Sequence, residues 1–475
     1  MRARLPRSVC LALLLLPLHL HAGVADNPDV KGAERLFESW LRGQMAYRAL
    51  PGIAIGVVND QDLVWARGFG YADTGSKTPV TPATKFRMAS HSKLFTATAI
   101  MQLREAGKLR LDDPVSQHLP WFRIRSAEPD DPPITIEELL THSSGLPREA
   151  GPHWSTLQFP AAAEVQSHLR EQQAAYPPEV RFKYSNLAFT VAGLIVESLS
   201  GEGWGAYVEK HIFAPLGMSQ SSVDRNVEGL ATGSGRRMPD GSREKMPFVD
   251  AVGMAAATGI TSTVEDMAKF VSLQFRKGKP GGSQILGTGA LREMHRVRML
   301  ENNWTRGNAI GFAVNRDKDT VFVGHGGSYF GFKTHTLIQL DDKVGVIVLT
   351  NGDDSAPSDI AMHLMRTVGA AARKAARPAA KEILWDPSWS RFSGLYRGRF
   401  GDQEVIELNR ALVVLDPSGS SPEPQIRLIP TGNGHFRAEG ATGGGAIGEA
   451  VRFVEENGRV VRMYIGEGYT DRVTP

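Results

Sequence analysis

Two segments of the chain combine a serine with a lysine three residues later. Ser90 and Lys93 lie at the start of a predicted helix, residues 94–106, where a three-residue offset places both side chains on one face. A neutral, buried amine can take the proton of a nearby hydroxyl and make it a nucleophile, and the helix N-terminus offers a backbone N–H to a developing oxyanion. Ser242 and Lys245 lie instead among turn residues that cannot fix this geometry. Ser90 and Lys93 are therefore the candidate pair; the alternative is a capping serine with a solvated lysine.

A tyrosine and an asparagine supply the second candidate group. Tyr184 and Asn186 form the only Tyr-x-Asn of the sequence and directly precede a predicted helix, residues 187–199. A phenol aimed at a serine can relay a proton to a leaving group, and an asparagine amide can hold a substrate carbonyl or orient a lysine. The alternative is that Asn186 caps the helix while Tyr184 packs in the core.

The third candidate group follows a predicted strand, residues 320–323. His325 is followed by Gly326 and Gly327, which would let a substrate backbone lie against the strand. The next N–H groups, beginning at Ser328, can complete an oxyanion hole. An ordinary histidine carries a partial charge near neutral pH, so His325 is also a candidate contact for a substrate.

The predicted secondary structure around these groups indicates an α+β fold. Strands are predicted near both ends of the first 380 residues and helices between them, so one sheet is built from both ends of the domain around a large helical region. Hairpin connections make that sheet antiparallel. After residue 380 short alternating runs separated by Gly and Pro predict a small all-β domain, a sandwich or a barrel. The predicted domains are residues 26–380 and 381–475.

Residues 1–25 have the pattern of a signal peptide. Arg2, Arg4 and Arg7 precede a short apolar run interrupted by Pro17, and small residues follow at 23–25. The run is shorter than the ~20 apolar residues of a spanning helix, so no stable membrane insertion is expected. The single cysteine, Cys10, lies within this segment and leaves the remainder without a disulfide. We therefore expect an exported protein, periplasmic or secreted.

Composition and missing motifs exclude several classes of function. Of 54 basic residues, three lie in the first 25, so the remainder carries 51 bases against 51 acids and no charge surplus for nucleic acid. The sequence contains no Gly-x-Ser-x-Gly elbow, no His-Glu-x-x-His and no phosphate-binding glycine loop. A typical α/β-hydrolase, a metalloenzyme and a cofactor-dependent enzyme are therefore not expected.

In their order along the chain, the three candidate groups resemble the motifs of the serine β-lactamase and penicillin-binding-protein superfamily. The class C-like branch is the closer match, and it includes D-alanyl-D-alanine carboxypeptidases, D-aminopeptidases and esterases. Residues 139–147, 215–218 and 259–267 are further landmarks of that branch. The resemblance covers about residues 30–370 and implies a β-lactamase/transpeptidase-like fold. The C-terminal domain resembles lipocalin-like appendages of some family members.

The resemblance also implies a role for each candidate residue. Ser90 would be the acylated nucleophile, Lys93 its base or proton partner, and Tyr184 the proton shuttle to the leaving group and the activator of the deacylating water. Asn186 would contact the substrate amide. The N–H groups of Ser90 and Ser328 would form the oxyanion hole. Whether Lys93 or Tyr184 is the base during acylation stays open at the level of sequence.

One departure from the family pattern bears on the substrate. Class C β-lactamases carry Lys-Thr-Gly where this chain has His325, Gly326 and Gly327, and Lys333–Thr334 is followed by His335 instead of glycine. This weakens the case for an efficient β-lactamase. We expect an acyl-enzyme hydrolase for D-amino-acid peptides, amides or esters, acting on small molecules or short peptides. The alternatives are a β-lactamase and a penicillin or muropeptide receptor that does not turn over.

Overall fold

The computed structural model describes residues 23–223, 226–377, 385–418, 426–432, 434–440 and 445–473. The chain separates into two units, Met1–Ala376 and Arg377–Pro475. Residues 1–22 of the predicted signal peptide and the predicted boundary at 380/381 lie outside the described residues. No described helix combines the length and the apolar character needed to cross a bilayer.

Runs of buried apolar residues form the strands of the first unit. All eight residues of the first strand and all seven of the last are buried. In chain order the strands are β1 (Gly52–Asn59), β2 (Asp62–Asp73), β3 (Thr78–Pro79), β4 (Phe86–Arg87), β5 (Ser222–Val223), β6 (Ile260–Ser262), β7 (Met299–Leu300), β8 (Arg306–Asn308), β9 (Ala313–Asp317), β10 (Thr320–Tyr329), β11 (Phe332–Gln339) and β12 (Val344–Thr350).

The main sheet joins the two ends of the unit. Its strand order is β3-β2-β1-β12-β11-β10-β9-β8-β7, and β4-β6-β5 form a small second sheet. β1 and β12 pair antiparallel in the centre, from Ile53 opposite Thr350 to Asn59 opposite Val344. The predicted sheet built from both ends of the domain is therefore confirmed.

The helices lie mainly in the excursion between β4 and β7. They are α1 (Pro28–Arg48), α2 (Ser92–Glu105), α3 (Val115–His118), α4 (Ile136–Thr141), α5 (His153–Thr156), α6 (Ala162–Glu171), α7 (Asn186–Ser200), α8 (Trp204–Val208), α9 (Ala214–Leu216), α10 (Ala255–Thr258), α11 (Val264–Leu273), α12 (Thr288–Met294), α13 (Pro357–Leu364) and α14 (Ala370–Ala376). Helices α2, α7 and α10 contact one another and share a large apolar core with one face of the sheet. Helices α1, α13 and α14 cover a second core on the other face.

Local capping explains where the central helix begins and ends. The side chain of Ser185 accepts the N–H of Ala188 at 2.9 Å and caps α7, which ends at Ser200 and is followed by Gly201 with φ 73°. Ser185, and not Asn186, is therefore the capping residue. The Asn186 side chain is left for other contacts.

The second unit is a closed barrel of eight antiparallel strands. They are β13 (Gly394–Gly398), β14 (Gly401–Glu407), β15 (Leu412–Leu415), β16 (Ile426–Gly432), β17 (His435–Glu439), β18 (Ala450–Glu456), β19 (Arg459–Ile465) and β20 (Gly468–Arg472). Each strand pairs with its sequence neighbour, and β20 closes onto β13. Phe392, Phe436 and Phe453 pack in its core. The predicted all-β domain is confirmed, and of the two predicted forms it is the barrel.

Strand β10 comes close to the turn that precedes α2. A Cβ atom added to Gly327 would meet the carbonyl oxygen of Met88 and the hydroxyl of Thr334. Both distances would be shorter than any that Cβ atoms keep from other heavy atoms in real proteins. Gly327 therefore serves the contact between the sheet and the turn, and the room it would leave for a substrate backbone stays a prediction.

This contact predicts that Gly327→Ala destabilises the first unit by about 1–3 kcal/mol, because strand and turn must separate to admit the methyl group. Gly43→Ala is the matched control: Gly43 lies within α1, and its added Cβ would touch nothing, so alanine should leave stability unchanged or raise it slightly. Urea unfolding measures both variants. Equal stability of Gly327→Ala and wild type would contradict the close packing.

Candidate active site

The candidate nucleophile lies on a tight turn. Ser90 is central in a 3-10 turn, Ala89–His91, and Ala89 has φ 53°. Ser92 donates its hydroxyl to the carbonyl of Ala89 at 2.8 Å and accepts the N–H of Ile260 at 3.0 Å. Residues on both sides of Ser90 are buried, whereas Ser90 is partly exposed. The turn thus presents one hydroxyl to solvent from a fixed backbone.

The candidate base is fully buried one helical turn away. Lys93 Nζ lies 3.3 Å from Ser90 Oγ, 2.7 Å from Asn186 Oδ1 and 2.9 Å from the carbonyl of Ala257. In the part of the chain that the structure describes, no carboxylate lies within ion-pair distance of this amine. Burial lowers the pKa of Lys93 to about 7. A neutral amine can donate to Asn186 and Ala257 and keep its lone pair toward Ser90.

Tyr184 completes the group around the serine. Its interaction with the Ser90 side chain lowers the pKa of Tyr184, but burial is the larger effect and raises that pKa to about 12. The ring of His142 lies 4.3 Å from the tyrosine ring, and Lys93 Nζ lies 5.0 Å from its centroid. The phenol therefore keeps its proton near neutral pH and can deliver it. Ser90, Lys93 and Tyr184, which the sequence predicted to act together, lie together.

Asn186 connects the lysine to a carboxylate that the sequence did not point to. Its Oδ1 accepts from Lys93, and its Nδ2 donates to Glu149 Oε1 at 2.6 Å. Asn186 is 1% exposed, and both ends of its amide have protein partners. The structure thus gives it the lysine-orienting contact, and a contact with the substrate amide stays a prediction.

Glu149 and its neighbours are the residues that sequence reasoning missed. Glu149 also pairs with His153 Nε2 at 2.9 Å and with Arg148 Nε at 3.1 Å. The Arg148 guanidinium lies 5.2 Å from the Tyr184 ring centroid. No motif spacing links this loop to Asn186, 37 residues further on, so only the tertiary structure could find it.

The imidazole of His325 is neutral in this site. His325 is 8% exposed and its Nδ1 donates to the carbonyl of Gly326 at 2.6 Å. Burial, with the nearby charge of Lys93, lowers the pKa of His325 to about 3. The sequence predicted a partly charged histidine; this was wrong, because the side chain is enclosed between the strand and the nucleophile turn.

A buried histidine connects the nucleophile turn to strand β11. His91 contacts the hydroxyls of Thr334 and Thr336 on β11, at 3.0 and 2.9 Å. Thr334 thus faces the nucleophile, and since adjacent strand residues point to opposite faces, Lys333 faces away from it. Lys333 therefore cannot replace the lysine of the Lys-Thr-Gly motif.

The predicted oxyanion groups lie on these two elements. The pairing of β10 with β9 ends at Gly324, which lies opposite Ala313. The part of β10 from His325 to Ser328 therefore has no partner residues on β9. Ser328 is exposed, opposite Lys333 on β11. The oxyanion roles of the Ser90 and Ser328 N–H groups stay predictions. Within the described ranges, no group of three or more His, Cys, Asp or Glu side chains could hold a metal ion.

The chain is similar in sequence to curated proteins from bacteria and fungi. Protein flp of Staphylococcus aureus (strain MRSA252) is 26% identical over 320 residues, which is 66% of this chain and 62% of that protein. The Unguisins hydrolase ungD' of Aspergillus campestris is 28% identical over 328 residues, 66% of this chain and 60% of that protein. The match thus spans about three-fifths of the length of these curated relatives.

Structural similarity extends over more of the chain. The octameric penicillin-binding protein homologue from Pyrococcus abyssi is similar with a TM-score of 0.63 and 26% identity, covering 92% of this chain and 99% of that one. A family model described as Beta-lactamase matches residues 37–369, well over half of the sequence. With its three motifs gathered around one partly exposed serine, the chain belongs to the Beta-lactamase family.

Proposed function

We propose that this protein is a serine hydrolase that cleaves amide or ester bonds through an acyl-enzyme on Ser90. The observation that carries the proposal is the buried amine of Lys93, 3.3 Å from the Ser90 hydroxyl and without a carboxylate in direct contact among the described residues. Burial favours the neutral amine, which is the form that can accept a proton.

The reaction follows from the contacts of the three side chains. Ser90 Oγ attacks the substrate carbonyl carbon while its proton moves to Lys93 Nζ. Tyr184 donates its proton to the leaving amine or alkoxide as the carbon–heteroatom bond breaks, and regains a proton from the water that attacks the acyl ester. As that ester breaks, the Lys93 ammonium returns its proton to Ser90 Oγ. Water then hydrolyses the acyl ester and restores the serine. Of the two candidate bases we assign acylation to Lys93, because the pKa of Tyr184, about 12, keeps the phenol protonated.

The substrate class is proposed from the charge of the site. His325 is neutral and Lys333 faces the other side of the sheet, so the motif on β10 offers no standing positive charge to a carboxylate. This supports peptides or amides of D-amino acids, or esters, over β-lactams. The family membership and the hydrolase among its relatives support the same reaction class.

An aromatic cluster beside the motif supports an apolar substrate side chain. Tyr329 ends strand β10 and Phe330 follows it; the Trp154 ring centroid lies 5.6 and 5.3 Å from their ring centroids. Phe159 closes the cluster at 5.4 Å from Trp154. Trp154 and Phe330 are partly exposed, so they can contact a ligand.

We propose further that the substrate is a small molecule or short peptide met outside the cytoplasm. The proposal of export rests on the pattern of residues 1–25.

Replacing the nucleophile tests the proposal directly. Ser90→Ala should abolish hydrolysis of p-nitrophenyl acetate and the acetyl adduct seen by mass spectrometry after an acid quench, while the fold is kept. Ser242→Ala is the matched control, since Ser242 lies in an exposed loop and bonds Asp240. An adduct that persists in Ser90→Ala would remove Ser90 from the mechanism, and an adduct in wild type that never hydrolyses would favour the receptor alternative.

Adding a charge at the motif tests the proposed substrate class. His325→Lys should raise kcat/KM for the acetyl ester of 3-hydroxybenzoate relative to that of 3-hydroxybenzamide by about tenfold or more, because a charged hydrogen bond then reaches the carboxylate. His325→Gln stays neutral and should leave the ratio as in wild type. An unchanged ratio in His325→Lys would contradict the proposed role of this position.

A further inference from the structure

A continuous chain of hydrogen bonds leads from the catalytic amine to a histidine in the core. Lys93 Nζ donates to Asn186 Oδ1 at 2.7 Å, Asn186 Nδ2 donates to Glu149 Oε1 at 2.6 Å, and Glu149 Oε2 bonds His153 Nε2 at 2.9 Å. Lys93, Asn186 and His153 are at most 1% exposed. A buried network of this kind holds its members in one geometry, since each loses a partner if another moves.

The charges that face Lys93 come from few groups. His91, His142 and His325 are neutral near pH 7, because burial lowers the pKa of each. Tyr184 is neutral as well, because burial raises its pKa.

Two charged side chains remain, and they are neighbours in one loop. The negative charge of Glu149 raises the pKa of Lys93 and so acts against burial, which is the larger effect. The positive charge of Arg148 lowers that pKa and so acts in the same direction as burial. Arg148 is largely exposed, at 58% of its side chain, whereas Glu149 is 15% exposed and directly bonded to Asn186. The negative charge therefore reaches the amine through the asparagine amide, whose dipole it polarises.

We propose that Glu149 is a positioning residue that, through the Asn186 amide, fixes the direction of the Lys93 amine and sets the pH at which that amine can take the serine proton. The inference rests on the proposed function, in which Lys93 is the base. Glu149 itself touches neither Ser90 nor the reacting atoms. Arg148 opposes it with the opposite charge.

The dependence of kcat/KM on pH tests this with a neutral ester, p-nitrophenyl acetate, and the full chain. Wild type should lose activity as pH falls through about 7, because Lys93 becomes protonated. Glu149→Gln removes the negative charge and lowers the pKa of Lys93, so the acidic limb should move to lower pH by about one unit, with a lower plateau.

Two further variants keep the test independent of folding defects. Arg148→Gln removes the opposing charge at an exposed position, so its acidic limb should move to higher pH. Glu149→Asp keeps the negative charge, so its limb should stay close to that of wild type even where its plateau falls.

The possible failures are distinct. If Glu149→Gln lowers the plateau but leaves the limb at the wild-type pH, Glu149 is only a structural partner of Asn186 and the inference is overturned. The same holds if Arg148→Gln moves the limb to lower pH. A wild-type profile that stays flat through pH 7 overturns instead the assignment of Lys93 as the base, and this inference with it.

Discussion

The burial of one amine is the constraint on which the rest of the active site depends. Lys93 has no exposed surface and its contacts are to a hydroxyl, an amide oxygen and a backbone carbonyl. An ammonium in such surroundings loses its hydration without a direct counter-ion, so the neutral form is favoured. The fold maintains this state by packing α2, α7 and α10 around the amine, so the proposed reaction depends on the helical core as much as on the serine.

A second constraint keeps the sheet in contact with that core. The nucleophile turn meets strand β10 at Gly327, where no side chain fits, and β11 through the hydroxyls that His91 contacts. The same enclosure leaves His325 neutral, so close packing determines the electrostatics of the motif. The fit of sheet to turn and the absence of a charge at this position thus have one physical cause.

The sequence predicted the fold class, the central strands and the three side chains that the structure brings together at Ser90, because hydrophobic periodicity and short motifs are local properties. The predicted helix 187–199 lies within α7, and the strand predicted at 320–323 continues as β10 to Tyr329. Its extension through three glycines carries no apolar pattern, so only pairing with β11 reveals it. Three features depend on contacts between distant segments, so no local pattern encodes them. They are the contact of Glu149 with Asn186, the neutral state of His325 and the direction in which the Lys333 side chain points.

The protonation state of Lys93 decides whether this amine can act as the base, and NMR can measure it without reference to any substrate. Protein labelled with 13C at lysine Cε would be titrated, with the Lys93 signal assigned from its loss in Lys93→Arg. Burial of the amine predicts a titration midpoint near pH 7 for Lys93. A midpoint at the ordinary lysine value of about 10.4 would contradict it, since the amine would then be an ammonium during turnover and could not accept the proton of Ser90.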